Sequence, residues 1–199
     1  MVREPPPIDE AASSTVTERP APGVASFDVM AQTLKLTTLG GLREGSGLNV
    51  ERAAKEGVEI GGHPLSGHVD VSARIAEIRR PDNNHVIRFA LPAPWMRYIF
   101  AKGYVGVNGC SLTVAEAQRE RDGSGWFEVW LIPETLRMTT FGDKTVGDAV
   151  HIEIERSTQV VVDTVRDALD EKLGPLLPVL EALAKERGIE LTQLVLPKS

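Results

Sequence analysis

Phe27-Asp-Val-Met-Ala-Gln-Thr33-Leu-Lys-Leu-Thr-Thr-Leu-Gly40 returns later in the chain as Phe127-Glu-Val-Trp-Leu-Ile-Pro-Glu-Thr135-Leu-Arg-Met-Thr-Thr-Phe-Gly142. From Thr33 onward the copies are 102 positions apart (135 − 33 = 102), and the same offset pairs Gly45 with Gly147, Val50 with Ile152 and Glu51 with Glu153. A repeat of this kind implies one folding unit used twice, with two related sites. By the same offset, Gly103-Tyr-Val-Gly-Val-Asn-Gly-Cys-Ser-Leu-Thr-Val114 should have a partner near residues 1 to 14. Met1-Val-Arg-Glu-Pro-Pro-Pro-Ile-Asp-Glu10 bears no likeness to it. The first unit is therefore expected to lack its opening strands and the second to be complete.

Outward from the second copy the pattern is mostly strand. Phe127, Val129 and Leu131 alternate with Glu128 and Trp130, and Val150, Ile152 and Ile154 with His151, Glu153 and Glu155, the period of a half-buried strand. Ile87, Phe89 and Leu91 alternate with Arg88 and Ala90. Tyr104 to Val114 reads as two short strands around Asn108-Gly109, a strong hairpin signal. Pro94 to Ala101 reads as a short helix among the strands. Many short strands with Gly-marked turns imply a small barrel or sandwich. At Ser157 the period changes. Val161, Val165, Leu169 and Leu173 form a helical stripe, with Ser157 or Thr158 as N-cap and Gly174-Pro175 as the stop. A weaker helix is expected from about Leu176 to Arg187. The stripe either packs on the chain's own barrel or serves subunit assembly.

Residues 1–25 are rich in Pro, Ser, Thr, Ala and Glu and read as a disordered tail, because such a segment buries too little apolar surface to offset chain entropy. The remaining chain, within 199 residues of which 42% are hydrophobic, is long enough for a buried core. A net charge of −6 argues against a nucleic-acid partner. The single Cys110 forbids an internal disulfide and fits a reducing compartment. No apolar run has the ~18–20 residues of a membrane span. The N-terminus resembles neither a signal peptide nor a transit peptide. A cytoplasmic protein with no membrane contact is expected.

Three blocks carry candidate chemistry. Gly61-Gly-His63-Pro-Leu-Ser66-Gly-His68-Val-Asp70 joins the copies, Asn108-Gly-Cys110-Ser111-Leu-Thr113-Val follows, and Leu131-Ile-Pro133-Glu134-Thr135-Leu136 pairs with Met30-Ala-Gln32-Thr33-Leu34. Each has an ordinary reading on its own. His68 in a Gly-rich linker caps a turn, Ser111 and Thr113 sit on an exposed strand face, and Lys102 is a solvated loop lysine. Cys110 points away from the Ser111 face and packs. His63 and His68 are five apart with no carboxylate or thiol spaced to join them, so no metal site is expected. Gly40 to Gly47 lacks the Lys-Ser/Thr ending of a phosphate loop and reads as turn glycine.

In this order and spacing the blocks resemble the riboflavin synthase family. The resemblance runs from about Ser26 to about Leu169 and includes Asn49-Val-Glu-Arg-Ala. It implies an all-β fold: a Greek-key β-barrel repeat, here with an incomplete N-barrel and a complete C-barrel, followed by a C-terminal α-helix. The implied organisation is a tail over 1–25, a partial N-terminal lumazine-binding barrel over 26–66, a C-terminal lumazine-binding barrel over 67–156 and a helical segment over 157–199. The implied assembly is a homotrimer whose active site lies between the N-barrel of one subunit and the C-barrel of a neighbour. The implied partners are 6,7-dimethyl-8-ribityllumazine and, for the assembly, lumazine synthase. The implied reaction moves a four-carbon unit from one lumazine to another, giving riboflavin and a diaminouracil with no metal or redox cofactor. Relatives that hold the ligand without turning it over leave a non-catalytic lumazine- or flavin-binding protein, or an inactive fragment, as alternatives.

Carried over by motif, the catalytic residues are His68, Ser111 and Glu155. The C-barrel binding residues are Lys102, Ser111, Leu112, Thr113 and the strand Leu131, Ile132, Pro133, Glu134, Thr135 and Leu136. Those of the N-barrel are Asp28, Val29, Met30, Ala31, Gln32 and Thr33, with Gly67, His68 and Val69. The chemistry requires a base near the acidic methyl of one lumazine, and an imidazole titrates near neutral pH. The ring's carbonyls and N–H are expected to pair with strand backbone, and the ribityl hydroxyls with Ser and Thr, in a cavity beside Ser111 and Thr135. The chain departs from the family in three places. The opening Met-Phe-Thr-Gly strand and the Cys-Leu-Thr-Val-like hairpin of the N-barrel are absent. Glu155 stands where the family usually has Asp, and His151 where it more often has Asn.

Overall fold

The computed structural model describes residues 16–51, 55, 57, 59–82 and 84–188. The chain divides into two compact units, Met1–Arg156 and Ser157–Ser199. The first opens with a hairpin, β1 (Val16–Ala21) and β2 (Val24–Phe27). Helix α1 (Ala31–Leu36) and a 3-10 turn (Thr38–Gly41) follow. Six antiparallel strands then close a barrel: β3 (Val71–Arg79), β4 (His85–Leu91), β5 (Tyr104–Val107), β6 (Cys110–Arg119), β7 (Gly125–Leu131) and β8 (Ala149–Ile154). Their spatial order is β3-β4-β7-β6-β5-β8. Strand β4 lies beside β7, the last of three hairpin-linked strands, which is Greek-key connectivity. The short α2 (Ala93–Met96) follows β4, and α3 (Pro133–Met138) with a second 3-10 turn (Thr140–Asp143) follows β7.

Period-two alternation sends one set of side chains into the barrel. Phe89, Phe127, Val105, Val107 and Ile152 are fully buried there, and the rings of Phe89 and Phe127 lie 5.1 Å apart. Each such side chain contributes roughly 1.5–3 kcal/mol. A six-stranded barrel so filled leaves no room for a ligand inside. Asn108 and Gly109 both have positive φ, 47° and 75°, as a two-residue hairpin turn requires.

Two expectations about elements are corrected. The tail expected over residues 1–25 ends earlier: residues 1–15 lie outside the described residues, and from Val16 the chain is paired. Val16, Thr17 and Val24 favour strand, and Gly23, at φ 75°, turns the hairpin after Pro22. The strand expected through Leu136 stops at Leu131, because Pro133 carries no N–H for a ladder and opens α3 instead. Ile132 is the N-cap of that helix.

The second unit contains α4 (Arg156–Leu173) from Ser157 onward, a 3-10 turn (Gly174–Leu176) and α5 (Leu177–Glu186). Helix α4 starts at Arg156, ahead of the expected caps Ser157 and Thr158. Its stripe is exposed, from Leu169 at 50% to Val161 at 62%. Among the described residues no helix is long and apolar enough to cross a membrane.

Candidate functional site

Gly106 stands at the centre of a short row across three strands: its Cα partners are Ser111 on β6 and Glu153 on β8. All three face outward, because Val105, Val107, Leu112, Ile152 and Ile154 take the inward positions. Residues 62–68 cross this row as a strap. At one end the His63 backbone N–H donates to Ser111 Oγ at 2.9 Å, and His63 Nδ1 lies 2.6 Å from the same oxygen. Gly62, at φ 95°, presses so closely that an added Cβ would fall 2.3 Å from Ser111 Oγ. In the middle, a Cβ on Gly106 would fall 2.8 Å from Leu65 Cδ2, so the bare glycine lets the strap lie flat. At the other end the Glu153 carboxylate accepts from Ser66 N–H (2.5 Å), Ser66 Oγ–H (2.8 Å) and Gly67 N–H (3.1 Å). Glu153 is only 9% exposed, and a carboxylate buried this far needs such donors.

The two histidines of the strap differ. His68 is exposed, with its N–H 3.3 Å and its Nδ1 3.2 Å from Ser66 Oγ. Ser66 directs its hydrogen at Glu153, so it receives from His68. That puts an imidazole hydrogen on Nδ1. His63 is buried and stacks on Tyr104 with centroids 5.3 Å apart. Burial lowers its pKa, and the charges of Glu155 and Glu153 oppose that shift. Its Nε2 is buried without a hydrogen-bond partner among the described residues.

Lys102, Ser111 and Thr113 gather on or beside the β5–β6 hairpin. Lys102, at φ 68°, donates its N–H to Val114 O at 2.7 Å, and exposed Thr113 pairs with Tyr104. Gly67 and His68 belong to the strap, half-buried Val69 follows it, and half-buried Glu155 lies just after β8. Leu112 and Leu131 point into the core, 9% and 2% exposed, so only their backbone is available to a ligand. Ile132, Pro133, Glu134, Thr135 and Leu136 present a helical turn rather than the strand edge expected for the ring. Thr135 O accepts from Thr139 Oγ1 at 2.6 Å. Asp28, Val29 and Met30 lead into α1, which holds Ala31, Gln32 and Thr33.

Asn49 ties these turns to the Ser111 hairpin. Its Nδ2 donates to Asn108 O (2.9 Å), and its Oδ1 accepts from Thr140 N–H (2.8 Å). Cys110 lies 3.7 Å from the same Nδ2, and burial, then the charge of Glu51, pushes its thiol up to about 11, so it does not act as a thiolate near neutral pH. A cavity of about 370 Å³ lies between β3, β4 and the start of β7, lined by residues such as Ser72, Arg74 and Ser124. None of the expected site residues lines it. Ser111 is half-buried beside the strap instead. The residues that reasoning from sequence passed over are His63, Glu153, Tyr104 and Gly106. Gly61-Gly62 before His63 and the lone Gly106 between valines were the available signals of close backbone approach.

Residues 66–155, from Ser66 in the strap to Glu155, match the lumazine binding domain family. The riboflavin synthase of Escherichia coli (strain K12) is 49% identical over 145 residues, 72% of this chain and 66% of that protein. The riboflavin synthase of Mycobacterium tuberculosis (strain ATCC 25618 / H37Rv) is 40% identical over 154 residues, 77% of this chain and 76% of that protein. This chain belongs to the riboflavin synthase family. Its fold is that of LumP, solved in complex with 6,7-dimethyl-8-(1'-D-ribityl) lumazine, at TM-score 0.59 and 21% identity over 72% of this chain and 73% of that one. LumP complexed with riboflavin gives TM-score 0.59 at 23% identity, over 72% of this chain and 74% of that one. The chain thus spans about two thirds of the length of the E. coli riboflavin synthase.

Proposed function

We propose that the outer face of β5, β6 and β8 binds 6,7-dimethyl-8-ribityllumazine. In this reading the chain acts as a riboflavin synthase, converting two such molecules to riboflavin and a diaminouracil. The observation that carries this is the polar row itself: Ser111 and Thr113 face outward beside the strap that holds His68, on a barrel whose interior is filled. The ligand therefore lies against the wall, and the ribityl hydroxyls meet Ser111, Thr113 and Lys102. Each polar group left unpaired there costs ~1–3 kcal/mol. Through Ser66, buried Glu153 fixes the His68 tautomer, and His68 Nε2 takes the proton from the acidic methyl of one lumazine. Ser111 and Glu155 complete the proton handling. The remaining parts of the reading are a C-terminal lumazine-binding barrel over 67–156, a partial N-terminal one over 26–66 that repeats it, assembly as a cytoplasmic homotrimer, and association with lumazine synthase. Binding by Asp28 to Thr33 belongs to the N-terminal part.

A second reading, ligand binding without turnover, is favoured by one observation. Leu48 and Val50 are 52% and 53% exposed, whereas Val150 and Ile152, their counterparts in the closed barrel, are fully buried. Incubating the chain with the lumazine while following riboflavin absorbance separates the two. Turnover supports the enzyme, a bound complex without riboflavin supports the binding protein, and neither overturns both. In an active chain His68→Ala slows turnover by roughly 10²–10⁴-fold, the worth of a general base, with a much smaller change in affinity. Equal losses in rate and affinity would remove His68 from proton transfer.

A further inference from the structure

Ser111 Oγ carries one hydrogen and two lone pairs, and the strap claims two of these three. The His63 backbone N–H is a donor only, so at 2.9 Å it occupies a lone pair. Nδ1 of the same residue, 2.6 Å away, then either takes the hydroxyl hydrogen or aims a second hydrogen at the same oxygen. The second arrangement leaves the hydroxyl hydrogen with no protein acceptor among the described residues, whereas the hydrogen of Ser66 goes to Glu153. The first is a chain, N–H to Oγ–H to Nδ1, in which each bond polarises the next. Gly62 packs against Ser111 Cβ and Oγ from the same side, and the stacked Tyr104 ring fixes the plane of the imidazole. The groups that face His63 are Ser111 from β6, Tyr104 from β5, Glu153 from β8 and Glu155 just after it. Burial keeps the ring neutral near pH 7 against the pull of the two carboxylates, so Nδ1 is free to accept.

We propose that His63 is a positioning residue for Ser111: it holds the hydroxyl hydrogen, so that the remaining lone pair of Ser111 faces the ligand and selects a hydrogen-bond donor, a ribityl hydroxyl or a ring N–H. The proposal rests on the lumazine reading of this face and names the polarity of one contact within it. The tautomer follows from it, with the hydrogen on Nε2, opposite to that of His68. Protonation of His63 reverses the contact: Nδ1–H then donates to Oγ, the serine hydrogen turns outward, and the donor of the ligand meets another donor.

The test uses riboflavin as the probe, with affinity followed by fluorescence from about pH 8 to about pH 5, the range of imidazole titration. His63→Phe keeps the stack on Tyr104 and loses the acceptor. It is expected to weaken binding roughly tenfold, the worth of one hydrogen bond, about as much as Ser111→Ala. The double variant should lose little more, since both changes remove one contact. In His63→Asn, Oδ1 replaces Nδ1 as a non-titrating acceptor, so most of the affinity returns and the loss of binding at low pH disappears. Additive losses, or a His63→Asn variant as weak as His63→Phe, would overturn the proposal. Nitrogen NMR of the wild-type chain gives a readout independent of ligand: Nδ1 unprotonated, and shifted by Ser111→Ala, supports the pair, while a protonated Nδ1 overturns it. If no variant and no wild-type chain binds riboflavin or the lumazine, the ligand reading of this face fails, and the nitrogen spectra still decide the His63–Ser111 geometry.

Discussion

Residues 31–51 and 133–153 carry one sequence pattern, and they share local structure only where the hydrogen bonds are local. Helix α1 and the turn after it sit at the same 102-residue offset from α3 and its turn as the sequences do. In each copy a threonine follows the helix and its hydroxyl caps the turn: Thr37 accepts from Leu39 N–H at 3.2 Å, and Thr139 from Phe141 N–H at 3.4 Å. Beyond that point the copies part. Residues 149–154 form β8 between β3 and β5, and their equivalents up to Glu51 form no strand. Turns arise from the bonds of a few neighbouring residues, whereas a strand exists only when partners lie alongside it. The difference in burial between Val50 and Ile152 follows from partners, not from their side chains.

The largest expected effect tests that contrast directly. Ile152→Ala should cost about 2–5 kcal/mol, as truncations in closed cores do, while Val50→Ala should stay within about 0.5 kcal/mol, as at an open surface. Urea unfolding of both variants measures this, and similar losses would show that the first copy is packed after all. Next is the strap. Glu153→Ala leaves Ser66 N–H, Ser66 Oγ–H and Gly67 N–H without their acceptor and should cost ~1–3 kcal/mol. Protease cleavage should then appear near residues 61–68, where the strap lifts from the barrel. A strap as resistant as in the wild type would mean that Ser111 and Gly106 hold it alone.

How much of this was legible in the sequence depends on the range of the bonds involved. The alternation of Phe127, Val129 and Leu131 and the Asn108-Gly109 turn marked strands that formed. The reading of Ser111 and Thr113 on one exposed strand face agrees with their outward places on β6, whereas Leu112, expected as a ligand contact, points into the core. The strand pattern before Pro133 hides the start of a helix that its missing N–H favours. The strap was beyond such reading. Ser66 and Glu153 are 87 positions apart and His63 and Ser111 are 48 apart, so no local pattern announces either bond. By spacing alone His63 stands out only as a metal-ligand candidate beside His68, because spacing along the chain does not reveal which histidine meets the serine.

A smaller effect comes from the exchange between the copies. Thr140 N–H of the second copy is held by Asn49 of the first, and Thr38 N–H of the first by His151 of the second, at 2.8 and 2.6 Å. Asn49 and His151 are themselves equivalent positions, so each copy anchors the turn of the other. Asn49→Ala removes the bonds to Thr140 N–H and Asn108 O and should cost about 1 kcal/mol for each, read as a shift of the urea midpoint. A shift within error would make the anchor dispensable.

The two anchors should part as pH falls, because an amide does not titrate and an imidazole does. Burial first, and then the charge of Lys144, lowers the His151 pKa from 6.5. Its Nε2 accepts from Thr38 N–H, so the folded state needs the ring nitrogen bare. The unfolded chain takes up the proton near 6.5, and the folded chain does so only at lower pH. Between those two values the unfolded state holds more protons, so stability rises with pH. The contribution is therefore complete above about 6.5 and is lost as pH falls from there toward the depressed folded value. His63 and His85 are shifted in the same direction, both chiefly by burial, so the wild-type chain should lose stability on acidification through the sum of three groups. His151→Asn removes one of them while keeping an oxygen for Thr38, as Asn49 does for Thr140. Its urea midpoint should fall less steeply than that of the wild type between about pH 7 and about pH 5. Parallel slopes would mean that the bond from Thr38 N–H does not hold the proton off His151 Nε2, and that the two anchors are equivalent after all.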